Sequence, residues 1–219
     1  MRTIFKTSDF MALLATSHPF QVIQTAWIRA AQRRWTDRIP ELPSGVPTPQ
    51  SCVALDVAEG GRDRTVMARR YGDYIATLTA VPGITTPRAE DAAALVEPAM
   101  LGGGAVVVDA DGVGGACYGI LREKYAARAR AFRGVKPTLW RDTNGTNAFL
   151  NIRAAAWWNA RQALDPEGTR KIALPPGADL LAELAAPRWK RSPPEDPARA
   201  QGTTSSADWA DPQTWLMPS

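Results

Sequence analysis

One histidine and two cysteines in 219 residues close off several common chemistries at once. His18 stands alone in a loop-like stretch, so Ser-His, Cys-His and His-ligated zinc mechanisms have no second member to draw on. Cys52 and Cys117 sit in apolar surroundings, the pattern of a reduced cytosolic chain rather than a disulfide scaffold. No stretch reads as a signal peptide. Long apolar runs are missing too: the most apolar segment, 92–108, is broken by Glu97, Pro98 and three glycines, which excludes a membrane span. Charge of one sign is scarce. The net +4 permits a polyanionic partner such as nucleic acid, but the arginines are scattered along the chain rather than gathered into a basic patch. The apolar and charged fractions, 45% and 22%, are those of an ordinary globular domain large enough for a real core.

What the chain does have is a repeated local pattern. Two short apolar runs each end in an aspartate, Ser51-Cys-Val-Ala-Leu-Asp56-Val and Gly104-Ala-Val-Val-Val-Asp109-Ala-Asp111-Gly. Each carboxylate stands where a β-branched strand gives way to a turn. If the strands are neighbours, both carboxylates emerge at one sheet edge. Hard divalent cations such as Mg²⁺ take oxygen ligands, usually one or two carboxylates with water and substrate phosphate. The pair therefore points to a phosphate-chemistry metal site, although aspartate also simply begins turns.

Around this pair the elements fall in a legible order. Residues 25–35 place Trp27, Ile28, Ala31 and Trp35 on one helical stripe, with Thr25 as N-cap. The Pro-rich stretch Pro40 to Pro49 has linker composition. Strand-like runs at 53–57, 65–71 and 73–81, separated by Arg62-Asp63-Arg64 and Tyr71-Gly72-Asp73, read as an antiparallel meander. A helix over 88–101 leads to a buried strand at 105–108. The run Gly112-Val-Gly114-Gly115 lacks a Gly-Lys-Ser/Thr ending and reads as a tight strand-to-helix turn, not a phosphate loop. Asn151–Leu164 is the clearest helix, stopped by Asp165-Pro166 and Gly168; its Trp157 and Trp158 read as core rather than as a stacking platform. A short strand at 171–174 and a short helix at 179–186 follow. Three antiparallel strands, a helix, a buried strand and further β and α elements give an α/β chain of ribonuclease H-like order, a mixed central sheet flanked by helices. A generic three-layer α/β domain is the alternative. Residues 1–49 are lead-in and linker, 50–190 the domain, and 191–219 an irregular tail of disordered composition.

From about Phe10 to Lys190 the ordered set of motifs resembles the C-terminal nuclease domain of the phage terminase large subunit, the motor-nuclease that packages viral DNA. The resemblance rests on the segment Phe20 to Trp35, on Ala54-Leu-Asp56-Val-Ala-Glu59-Gly-Gly-Arg-Asp63-Arg-Thr-Val, on Val108-Asp109-Ala-Asp111-Gly-Val-Gly-Gly, on Asn151-Ile-Arg-Ala-Ala-Ala-Trp157-Trp158, and on Ala173-Leu-Pro-Pro. It implies a ribonuclease H-like fold and a double-stranded DNA substrate. It implies three acids holding two Mg²⁺ or Mn²⁺ ions, which activate the attacking water and stabilise the leaving oxygen. Asp56 matches the first acid and Asp109 the second, while Asp63, Asp111 and Glu59 are candidates only to support them, Asp111 reading equally as a surface-turn residue. Arg69 and Arg70 are candidates to face phosphate, and read equally as exposed strand positions. The small terminase subunit and the portal are the partners implied for the full-length family, and the implied location is the cytoplasm of a bacterial host, encoded by phage or prophage. A resolvase-like nuclease of the same fold and an inactive DNA-binding domain are the rival readings.

Two departures stand out. The family's ATPase domain, with its phosphate-binding loop, precedes this region and has no counterpart here, so Met1 is expected to lie near the interdomain linker. At the other end the family carries Gly-Arg-Ser-Pro-Asp-Leu-Ala-Asp-Ala, its last Asp being the third acid, whereas this tail reads Ala207-Asp208-Trp209-Ala210-Asp211-Pro212. Reading the codons of Asp208 to Ser219 from each third base gives a reason. Asp-Trp then forces Leu, Trp-Ala forces Gly and Met-Pro forces Ala, while the pairs between them permit Arg-Ser-Pro-Asp-Leu-Ala-Asp. The family string thus lies intact in the shifted frame. The expectation is a frame shift between Lys190 and Gln201, as in a decaying prophage, that leaves Asp211 as a doubtful metal ligand and cleavage impaired.

Overall fold

The computed structural model describes residues 20–38, 49–58, 60 and 62–190. The central feature is a six-stranded mixed sheet. Its strands are β1 (Cys52–Asp56), β2 (Arg64–Tyr71), β3 (Tyr74–Ile75), β4 (Thr79–Pro82), β5 (Ala105–Asp109) and β6 (Ala129–Phe132). The order is β3-β2-β1-β5-β6, with β4 also pairing on β2. β1 to β4 form the expected antiparallel meander, but its third run is split at residues 76–78 into β3 and β4. β5 then returns parallel to β1, with Val53 opposite Val106 and Leu55 opposite Val108, and β6 extends the parallel half.

Five helices flank the sheet: α1 (Thr25–Arg38), α2 (Ala89–Met100), α3 (Gly114–Tyr125), α4 (Ile152–Leu164) and α5 (Ala178–Ala185). Strand alternation decides what each sheet face meets. Val53, Leu55, Val57, Val106 and Val108 bury against Ala92, Ala93, Val96 and Met100 of α2 and against Cys117 and Leu121 of α3. Fully burying one such valine or leucine contributes roughly 1.5–3 kcal/mol. The intervening residues of the same two strands, Asp56 and Asp109 among them, point to the other face.

A second core lies around α1, where Ile23, Ile28 and Ala31 pack with Ala163, Leu164, Ile172 and Leu174. Trp157 packs against this cluster. Trp158 stands in an aromatic row between Phe149 (5.9 Å) and Trp189 (6.5 Å), with the Arg161 guanidinium 5.2 Å from its ring. Both tryptophans are therefore packing residues, as their helical spacing implies.

Three local expectations change. Thr25 lies inside the first turn of α1, its hydroxyl accepting from the Gln21 amide, and the Gln24 carbonyl opens the helix instead. Residues 171–174 do not form a strand; only Ala173 bridges to Tyr74. β6, flanked by arginines and alanines, carries too little apolar alternation to be read from sequence.

Candidate metal centre

Asp56 and Asp109 are the last residues of β1 and β5. One register step beyond the Leu55–Val108 pair, they sit side by side on the same face of a parallel ladder. Neighbouring strands run about 4.8 Å apart, so the two side chains share one mouth. Partial burial, then the negative charge of Asp109, pushes the Asp56 carboxyl above the usual range; Asp63 adds to this, while Arg153 and the Val57 N–H oppose it.

The turn after each strand fixes its carboxylate. After β1, the Ala58 N–H donates to the Thr65 hydroxyl, which is itself paired with the Thr86 hydroxyl at 2.7 Å, so the exit from the strand is tied to β2. After β5, the Asp111 N–H donates to Asp109 Oδ1 (3.2 Å), and the Val135 N–H donates to Asp111 Oδ2 (3.0 Å). The glycine turn between β5 and α3 has a steric cause. A Cβ on Gly114 would stand 1.9 Å from the Asp109 carbonyl oxygen, so only glycine lets α3 start directly beneath the strand end. The Gly-rich run is a tight turn, and its work is to bring a helix against Asp109.

The site also contains a residue that periodicity did not single out. Arg153, in the first turn of α4, places Nη2 3.5 Å from Asp109 Oδ2 and 3.2 Å from Asp111 Oδ2. Its backbone N–H donates to the Gly134 carbonyl, and the Ile152 N–H donates to that of Lys136. A signal for it was present in the sequence. Arginine in a helix's first turn faces the positive end of the helix dipole, and α4 has no acid there to offset it. Such a residue needs carboxylates from elsewhere in the fold. Arg133 reaches the same rim, donating to the Ala110 carbonyl.

The structure thus brings together Asp56, Asp109 and Asp111 around Arg153, and brings Asp63 within electrostatic range of Asp56. Glu59 and Asp211 lie outside the described residues, as do His18, the stretch 40–48 and the tail 191–219. Among the described residues no group of three or more His, Cys, Asp or Glu side chains forms a metal-binding cluster. Arg70 does not face phosphate. It is buried at 3% exposure, Nε donating to the Gly72 carbonyl and Nη2 pairing with Asp73 at 3.7 Å. Arg69 is half-buried, with its Nε turned inward. Both cysteines are buried, and burial raises the Cys52 thiol.

No protein-family model and no curated protein sequence matches the chain. Solved structures do. The nuclease domain of the large terminase subunit gp2 of bacterial virus Sf6 superposes with a TM-score of 0.57 at 20% identity, over 78% of this chain and 84% of that one. The fold is that of a terminase nuclease domain. A mutant of the Sf6 domain solved with manganese and beta-thujaplicinol gives a TM-score of 0.56 at 19% identity, over 78% and 84% of the two chains. Another, solved with calcium, gives 0.54 at 20%, over 75% and 81%. The ribonuclease H-like, mixed-sheet architecture read from the order of elements is therefore the one present. Within this terminase nuclease fold, no described helix is long and apolar enough to cross a membrane.

Proposed function

We propose that the chain is a nuclease-domain fragment of a phage terminase large subunit, in which Asp56 and Asp109 hold a divalent cation against a phosphodiester of double-stranded DNA. The observation that carries this is the pairing of two carboxylates on adjacent parallel strand ends. Partial burial and then the like charge of Asp109 hold Asp56 above its ordinary range, an arrangement that opposes folding until a cation relieves it.

The donor set suits a hard ion. Among the described residues the mouth offers carboxylate oxygens and no imidazole, which favours Mg²⁺ or Mn²⁺ over zinc. When bound, such an ion supplies a polarised phosphate and a more acidic water. The chain's own residues supply the rest. Asp56 and Asp109 fix the cation's place, Asp63 and Asp111 deepen the negative potential, and Arg133 and Arg153 offer the rim to phosphate. That a related domain was solved with manganese and with calcium supports divalent use. The small terminase subunit and the portal are the partners this reading assigns, in a bacterial cytoplasm.

A two-metal nuclease requires a further acid, and Asp211 is the doubtful holder of that place. The translated tail does not carry the family's Asp-Leu-Ala-Asp, so cleavage is impaired. Loss of supporting contacts alone costs metal sites about 10–100-fold, and loss of a ligand costs more. Because only two of the described acids, Asp56 and Asp109, stand on the paired strand ends, a DNA-binding domain without nuclease activity is the second reading.

Calorimetry with Mn²⁺ tests the site. Wild type should bind weakly, and Asp56→Asn should abolish binding; equal affinity in the two overturns the assignment. Plasmid cleavage then separates the two readings. Restoring the shifted frame in the tail should recover Mn²⁺-dependent cutting of duplex DNA. Efficient cutting by the present chain, stopped by Asp211→Asn, would make Asp211 the third ligand and overturn the frame argument.

A further inference from the structure

We propose that Arg153 is an exchangeable counter-cation. It neutralises the Asp56–Asp109 mouth while no metal is bound, and it passes to a DNA phosphate when a divalent ion takes Asp109 Oδ2. This rests on the metal reading above and adds a residue and a sequence of events to it.

Four features of Arg153 support the exchange. Its contacts are loose: 3.5 and 3.2 Å exceed the roughly 2.7–2.9 Å of a tight charge-assisted bond, and its side chain is 47% exposed. Such a pair is weak and cheap to break. The atom it touches is the available one. Asp109 Oδ1 already accepts from the Asp111 N–H, so Oδ2 is the oxygen a cation and Arg153 would both seek. The guanidinium is underused as well. Among the described residues only Nη2 is engaged, leaving the Nε and Nη1 donors without acceptors at a mouth meant for phosphate. A bidentate fork of this kind matches phosphate geometry.

The fourth feature is that the fold makes room for this side chain. A Cβ on buried Gly134 would come within 2.7 Å of Arg153 Nε and 3.0 Å of Arg153 Cβ. The Gly134 carbonyl meanwhile accepts the Arg153 backbone N–H at 2.9 Å. The backbone is held and the head is loose, which is the mechanical requirement for an exchange between two nearby anions. Asp111 keeps a carboxylate within reach throughout, so the guanidinium need not travel far.

The test uses the full chain and two ligands. Arg153→Gln, with Arg153→Ala as a second variant and thermal unfolding as the folding check, should bind Mn²⁺ about five-fold more tightly than wild type, the most that an exposed ion pair typically withholds. Arg141→Gln removes a charge that bonds the Gly145 carbonyl instead, and should leave Mn²⁺ affinity near wild type. Binding of a 20-base-pair duplex, about the scale of a short protein footprint, should then weaken in Arg153→Gln when Ca²⁺ is present and stay unchanged in EDTA. Unchanged or weakened Mn²⁺ affinity in both Arg153 variants overturns the exchange, as does an equal gain in Arg141→Gln. Equal loss of duplex binding with and without Ca²⁺ makes Arg153 a fixed phosphate contact and also overturns it. Absence of Mn²⁺ binding in every protein overturns the metal reading, and this proposal with it.

Discussion

Aspartates stand at both ends of the sheet, and their surroundings are opposite. At the end where β2 turns into β3, Asp73 sits between two arginines: Arg170 at 2.6 Å and the buried Arg70 at 3.7 Å. Burial alone would raise its carboxyl, but the hydrogen bond and charge of Arg170, aided by the Lys171 N–H and Arg70, hold it below the ordinary range. At the other end Asp56 is partly buried with a like charge beside it; a shared, loosely held arginine and the Val57 N–H do not offset them, and its carboxyl is raised. One carboxylate is satisfied by the fold and the other is left in deficit by it. A deficit that the fold builds and does not repair marks a place where something else binds.

The comparison can be broken from either side. The largest effect should come from Gly114→Ala. The new methyl cannot coexist with the Asp109 carbonyl, so α3 or the end of β5 must shift. A loss of about 3 kcal/mol in urea unfolding is expected, together with loss of Mn²⁺ binding. A methyl tolerated there with metal binding intact would show that α3 does not fix the site.

Asp73→Ala should come next. It leaves Arg70, 3% exposed, without its carboxylate, and should lower stability by about 2 kcal/mol. Mn²⁺ affinity should not change, since Asp73 lies at the far end of the sheet. A change in metal affinity would erase the distinction between the two ends.

The smallest effect has the opposite sign. Asp56→Asn removes a carboxylate that folding raises, so at neutral pH it should stabilise the chain, by at most about 1 kcal/mol at so exposed a mouth. The gain belongs to the ionised form. It should be present in full above the raised value, fade as pH falls through it, and be gone below the ordinary carboxylate range, where Asp56 is protonated in the folded and unfolded chain alike. Asp73 behaves inversely: its contribution is present above the ordinary value and is lost as pH falls through its depressed one. Thermal midpoints of wild type and both variants between pH 3 and pH 7, the span over which ordinary carboxylates titrate, should diverge in opposite directions. Parallel curves would refute the assignment of opposite environments.

Much of this was legible before the fold was seen, and the limits have physical causes. Asp56 and Asp109 could be paired because the apolar runs Val53–Leu55 and Val106–Val108 announce buried strands, and a buried strand's end is where a carboxylate becomes available. The meander was legible because Arg62-Asp63-Arg64 and Gly72 punctuate it. β6 was not, because an arginine–alanine strand carries its information in pairing with β5 and not in its own periodicity. Arg70 misled because arginine on a strand reads as exposed, whereas its fate was decided by Asp73 three residues later and Arg170 a hundred residues later. Arg153 was passed over because helical periodicity classifies it as a solvent-facing position. Its oddity appears only when its place in the first turn is weighed against the dipole.

The parallel pairing of β1 with β5 has a consequence in time as well as in space. About fifty residues separate the two aspartates, and closing a loop of that length is an entropic cost met before any contact across it forms. Local hairpins such as β1–β2 need no such closure and form sooner. During synthesis the meander is therefore complete while Asp109 is still unmade or unpaired, and the acid pair comes into existence only when β5 docks. A growing chain has no paired acids at the mouth until its sheet is nearly whole, so topology itself fixes the moment at which a cation could first be held there.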